Sequence, residues 1–181
     1  MSATDSWVVL RDHRHGDNED DLCGQVVTWV SSRAAHFAWT AHDLTFPASA
    51  RALHEIGSEP KVRLPFGIYD RDTGELAGYA ELGDIDRKNS STRLSRFVIH
   101  PEHRGRGFGS ASIRLLVKQV ALLGLHRIDL VVAIDNVAAI RAYRAAGFTL
   151  EGTLHDSRCF GGEYRSMYLM AKILGPEDGT A

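Results

Sequence analysis

A mixed α/β fold, with a central sheet and helices on both faces, is what this 181-residue sequence predicts. Three observations lead there. Residues 62–83 alternate with a period of two on either side of a turn sequence, as hairpin strands do. From residue 94 to 173 the pattern reads strand, helix, strand, helix, strand, strand. Within it, the run 128–134 (I-D-L-V-V-A-I) is too apolar to face water and belongs at the centre of a sheet.

Residues 1–6 are polar and expected to be loose, and 7–11 (W-V-V-L-R) can form a first strand. The polar run 13–21 ends in D-N-E-D-D, carboxylates that suit a helix N-terminus or could attract a cationic substrate. Leu22, Val26, Val27 and Val30 then recur at helical spacing. Residues 31–47 show no clean period and carry Phe37, Trp39, Phe46, His36 and His42, which suggests a loop or broken helix. Residues 48–57 form a short helix candidate, stopped by Gly57 and Pro60. Strands over 62–69 and 75–83 flank the turn D-R-D-T-G, and 84–91 reads as a linker into a strand at 94–99. A helix over 110–123 places Ile113, Leu116, Val117 and Val120 on one face, with Gly124 as its stop. Asp135-Asn136 caps a helix running through Ala146 that Gly147 ends. Strands over 148–154 and 164–173 surround a loop at 156–162, and the tail 175–181 is expected to be loose.

The stretch with the most chemistry lies where the strand 94–99 meets the helix from Ser110. Pro101 cannot donate to a ladder and ends the strand. Arg104-Gly105-Arg106-Gly107-Phe108-Gly109 follows. Its glycines let backbone N–H groups come close to a ligand, and the helix N-terminus adds unpaired donors and the positive end of its dipole. With Arg104 and Arg106 this makes a pyrophosphate cradle. A dinucleotide fingerprint fits less well, because Ser110 stands where the third glycine belongs and Asp129 comes early in its strand. A Walker loop lacks its G-K-[ST]. An ordinary glycine-rich turn is the remaining alternative.

Arg104-x-x-Gly107-x-Gly109, following V-I-H-P-E-H, resembles the acyl-CoA pyrophosphate signature of the GNAT N-acetyltransferase family. A second block, from Asn136 through Ala139 and Tyr143 to Gly147-Phe148, is similar to that family's later motif, in which Asn and Tyr lie seven residues apart. The resemblance covers residues 60–173 well and the first sixty loosely. It implies a GNAT-like acyl-CoA N-acyltransferase fold over one domain, 1–181, whose mostly antiparallel sheet contains one parallel pair that splays apart. It implies acetyl-CoA as cofactor, bound by the backbone of Phe97, Val98 and Ile99 along its arm. The amides of Arg104, Gly105, Arg106, Gly107, Phe108, Gly109 and Ser110 would hold its phosphates, and Asn136, Ala139 and Tyr143 would touch it as well. Tyr143 matches the motif tyrosine that protonates the departing sulfur; a phenol titrating near pH 10 keeps its proton at neutrality.

The base has no such match. Relatives that acetylate protein N-termini often carry a glutamate five residues before the motif asparagine, and this chain has Val131 there. Glu81, on the preceding strand, is the nearest acidic candidate for both catalysis and substrate contact, with a water chain as the alternative. His36, His100, His103 and His155 have nothing to single them out. The family often closes the 31–47 region and the last hairpin over its acceptor, so Phe37, Trp39, Arg158 and Tyr164 are substrate-binding candidates; the two aromatics could equally fill the core. Cys159 could carry an acetyl group, but nothing in the sequence marks it as activated.

Composition excludes other classes. Net charge is −2, which gives no general pull toward nucleic acid or anionic membrane. Cys23 and Cys159 make neither a metal spacing nor a disulfide framework, so no metal is expected. No signal pattern or long apolar run is present, and a cytoplasmic enzyme is the default. The expected activity is acetyl transfer to a primary amine of a small molecule, by direct attack in a ternary complex. Acetylation of a protein N-terminus or lysine is the alternative within enzymes, and a non-catalytic acyl-CoA-binding regulatory domain the alternative outside them. Such domains often pair, so a homodimer is compatible.

Overall fold

The computed structural model describes residues 7–13, 19–40, 44–57 and 63–179. Seven strands are β1 (Val8–Asp12), β2 (Leu64–Asp70), β3 (Leu76–Asp86), β4 (Ser91–Ile99), β5 (Arg127–Ala133), β6 (Thr149–Phe160) and β7 (Glu163–Ile173). They make one sheet in the order β1-β2-β3-β4-β5-β7-β6, antiparallel throughout except for the parallel pair β4–β5. The apolar β5 is indeed an inner strand, hydrogen-bonded on both sides.

Side-chain alternation distributes the core between two faces. On β3, Ala80 joins a large cluster with Ile113, Leu116 and Val120 of α4 (Phe108–Leu122) and Ile140 of α5 (Val137–Ala145). Its neighbour Tyr79 points the other way, into a cluster with Leu22 and Val26 of α1 (Glu19–Thr28), Trp39 of α2 (Arg33–Thr40) and Leu53 of α3 (Ala50–Gly57). On β4, Val98 packs on that second cluster and Phe97 and Ile99 on the first. Helices therefore cover both faces, as expected.

Three connections differ from expectation. Residues 84–91 are not a linker: β3 runs on to Asp86 and β4 begins at Ser91. The Asp86 carboxylate accepts the Asn89 backbone N–H at 2.9 Å and closes a tight turn. Nor is 156–162 a loop, because β6 continues to Phe160 and only Gly161-Gly162 turns the chain. Both glycines have positive φ, 62° and 86°, the geometry of a two-residue hairpin turn. The aperiodic stretch after Ser31 contains a regular helix, α2, whose Ala35 N–H is received by Ser32 Oγ at 3.1 Å. Its period is hidden because His36, Phe37, Trp39 and Thr40 are all buried.

Residues 175–179, expected to be loose, are held by an Asp178 carboxylate that accepts the Gly175 N–H at 2.9 Å and pairs with Lys172 at 3.1 Å. Residues 1–6, 14–18, 58–62 (with Pro60 and the expected strand start at 62), His42 and residues 180–181 lie outside the described residues, while Glu19, Asp20 and Asp21 of the acidic run open α1. No helix among the described residues is long and apolar enough to cross a membrane.

The feature that positions the site is the pairing of β4 with β5. It consists of Ser91–Arg127, Thr92–Ile128 and Arg93–Asp129, and there it stops. Both strands continue, to Ile99 and Ala133, without pairing to each other. The sheet opens between them.

Candidate active site

The opening is a cleft of about 250 Å³, continuous with solvent. Leu94 to Phe97 of β4 form one wall and Val131 and Val132 of β5 the other. Trp39 of α2 enters from one face of the sheet, and Asn136, Ala139 and Tyr143 of α5 from the other. The cleft therefore passes through the sheet, and two reactants can enter from opposite faces.

Tyr143 is held by the geometry of α5. Asn136 caps that helix, its side-chain oxygen accepting the Ala139 N–H at 3.2 Å, and Tyr143 lies two turns on, on the same face. The ring packs against Phe97 and Phe148, with centroids 6.3 and 5.8 Å away. It is 7% exposed, and its hydroxyl has no hydrogen-bond partner among the described residues. Burial pushes the phenol well above its usual value, so it keeps its proton at any physiological pH. A buried, protonated hydroxyl beside the cleft is a proton donor waiting for an acceptor.

The cradle is built from backbone. Gly105 and Gly107 sit at φ 71° and 88°, and a Cβ on Gly107 would meet the Trp7 ring at 3.3 Å. The positive φ turns the chain so that α4 begins at Phe108 with no side-chain cap. Ala111 is the first residue of α4 whose N–H finds a helical carbonyl, that of Gly107 at 3.1 Å. The amides of residues 105–110 have no backbone partner among the described residues, and Arg104 and Arg106 stand exposed beside them. These donors and charges fit a pyrophosphate. Phe108 contributes its amide only; its ring is 2% exposed and packs edge-on against Trp7 at 4.7 Å. Arg104 Nε donates to the Ile99 carbonyl at 2.9 Å, which ties the loop to the end of β4. Gly107→Ala is expected to cost about 1–2 kcal/mol of backbone strain and to weaken CoA binding by about tenfold, both readable by calorimetry.

Beneath the cleft lies a buried charge pair that the sequence reading placed differently. Glu81, expected as base and substrate contact, is 0% exposed and does not line the cleft. Its Oε1 accepts from Arg96 Nε at 2.7 Å and from the Tyr79 hydroxyl at 2.9 Å, while Arg63 stands 3.5 Å from Oε2. Arg96 is 3% exposed and has φ 46°, the left-handed region that residues other than glycine rarely enter. The β3–β4 register slips at this point, between Tyr79 and Glu81. The indole N–H of Trp39 donates to the Arg96 carbonyl at 2.7 Å. Arg96 is thus anchored at both ends, and it sets the bulge from which Phe97, Val98 and Ile99 run along the opening.

Of the remaining candidates, Trp39 and Arg158 line the cleft, while Phe37 and Tyr164 do not. Phe37 packs on Phe160, centroids 4.8 Å apart, because its side of α2 faces the end of β6. Tyr164 is 69% exposed on the last hairpin. His36 and His103 are buried among aromatic rings, and His100 accepts the Glu102 N–H at 3.3 Å. Arg63, Asp84 and Arg93 also line the cleft; Asp84 and Arg93 fall in the stretch 81–93 expected to help choose the acceptor, though neither was singled out, and Arg63 was not foreseen. Their sequence signal was weak, since isolated charges at strand ends are common.

A family model described as "Acetyltransferase (GNAT) family" matches residues 28–148. The spermine/spermidine N(1)-acetyltransferase of Bacillus subtilis (strain 168) is 32% identical over 119 residues, 62% of this chain and 77% of that protein. The L-amino acid N-acetyltransferase of Escherichia coli (strain K12) is 31% identical over 103 residues, covering 55% and 63%. Among solved structures, the spermidine N-acetyltransferase of Vibrio cholerae in complex with CoA and spermine superposes with a TM-score of 0.78 at 24% identity, over 93% of this chain and 96% of that one. That likeness is one of fold.

Proposed function

This chain belongs to the acetyltransferase (GNAT) family, and from that premise we propose that it moves the acetyl group of acetyl-CoA to a primary amine of a small molecule, by direct attack in a ternary complex. The observation that carries the reading is the opening of β4 from β5 beyond three parallel pairs, with the buried Tyr143 hydroxyl on its wall. Relatives named for polyamines and for amino acids support a small amine as acceptor.

Acetyl-CoA, when bound, supplies an acyl group already activated as a thioester. The amides of residues 105–110, with Arg104 and Arg106, would hold its phosphates. The free edge of β4 at Phe97, Val98 and Ile99 would bind the arm and polarise the carbonyl oxygen. Asn136 and Ala139 would close the other side. Tyr143 would give its proton to the sulfur as the C–S bond breaks and the C–N bond forms, and regain it from solvent. The amine's own proton passes to water in the cleft, since Glu81 is committed to Arg96 and no other carboxylate but Asp84 lines the walls among the described residues.

Thiol release from acetyl-CoA, measured against a panel of small amines and N-terminal peptides, tests the reading. Turnover on small amines is expected. Turnover confined to peptides would turn the reading toward protein acetylation, and CoA binding without turnover toward a regulatory domain. The proposal includes a cytoplasmic enzyme that forms a homodimer; exposed Leu150 and Leu154 on the edge strand β6 offer apolar surface for it, and light scattering would measure it.

A further inference from the structure

Given the transferase activity proposed above, the charges of the cleft point to its acceptor. Arginines 63, 93, 96 and 158 line it, and Asp84 is its one carboxylate among the described residues. Most of these charges are answered. Glu81 lies 2.7 Å from Arg96 and 3.5 Å from Arg63. Arg93 holds Asp129 at 2.6 Å and Asp84 at 3.6 Å. Arg158 differs. It is half-buried on β6, its Nη1 donates to the carbonyl of the adjacent Ser157 at 2.9 Å, and it has no carboxylate partner among the described residues.

We infer that Arg158 binds an anionic group of the acceptor, and that the acceptor is an amine carrying a carboxylate, as an α-amino acid does. A guanidinium fork matches a carboxylate bidentately, and partial burial strengthens such a pair relative to water. Placing a carboxylate at Arg158 would anchor the acceptor in the cleft that Tyr143 also lines. A polyamine would meet the opposite situation. Its two or more ammonium groups would enter a cleft that, among the described residues, has one carboxylate, already near Arg93, and an arginine without a carboxylate partner. Repulsion of that kind selects against a partner as effectively as contact selects for one.

The test compares L-α-amino acids with their methyl esters, which keep the amine and lose the charge, and with spermidine. Initial rates are measured with acetyl-CoA for wild type, Arg158→Gln and Arg158→Lys. The wild type is expected to prefer acids over esters by about 10- to 100-fold in kcat/KM, with spermidine poorer still. Arg158→Gln is expected to erase that preference through KM for the acid, leaving KM for acetyl-CoA within about twofold; Arg158→Lys should restore part of it. Turnover that favours esters or spermidine overturns the inference and leaves the transferase reading standing. A raised KM for acetyl-CoA in Arg158→Gln also overturns it, by assigning the charge to the cofactor. No transfer to any amine overturns both.

Discussion

Replacing Tyr143 by phenylalanine is expected to lower kcat by about 10²- to 10³-fold, the contribution typical of a positioned general acid. CoA affinity should stay within about twofold. The two effects separate because the ring, not the hydroxyl, packs against Phe97 and Phe148, so phenylalanine preserves the wall of the cleft. Stability should barely change, since the hydroxyl makes no hydrogen bond to a described residue. Burial raises the phenol's pKa, so the protonated, donating form persists through the neutral and mildly alkaline range. The wild-type pH–rate profile should therefore show no alkaline decline due to Tyr143 below about pH 10. Steady-state kinetics over pH 6–9, with calorimetry of CoA binding, check both expectations.

Removing one partner of the Glu81–Arg96 pair is the second large effect. Both side chains are essentially inaccessible, at 0% and 1%, so removing either one breaks a buried charge pair, and the partly exposed Arg63, 3.5 Å from Glu81 Oε2, replaces Arg96 only in part. Such a loss costs about 3–5 kcal/mol. For a chain of this length that corresponds to a fall in Tm of about 6–20 °C. Arg96→Leu and Glu81→Leu should each show it, and the double variant should recover much of the loss, because two apolar side chains leave no charge to desolvate. Glu81→Gln separates structure from catalysis. If Glu81 positions the β4 bulge, Tm and activity fall together; if it were the base, activity would fall about 10²-fold or more with Tm retained.

Much of this was legible in the sequence, for physical reasons that differ by element. The cradle could be read because positive φ at Gly105 and Gly107 demands glycine, and a helix must follow if its donors are to be free. Asn136 and Tyr143 could be read because a cap and a residue seven positions on share one helix face. The strand 128–134 declared its central place by carrying one polar residue, Asp129, among apolar ones. Glu81 was misplaced because a carboxylate in a strand looks the same whether it faces a cleft or an arginine; its partner lies fifteen residues away across a bulge. Phe37 and Trp39, two residues apart on α2, went to different neighbours, and no local pattern separates them. Arginines 63, 93 and 158 met only through the sheet, which brings β2, β4 and β6 around one opening.

The most direct test of the account follows the acetyl group itself. Acetyl-CoA labelled with ¹³C in the acetyl carbon is incubated with the protein and a small primary amine, and the products are weighed by mass spectrometry. Labelled N-acetyl amine, formed one for one with free CoA and lost in Tyr143→Phe, is the predicted result. Bound CoA with the label never leaving the thioester would contradict it.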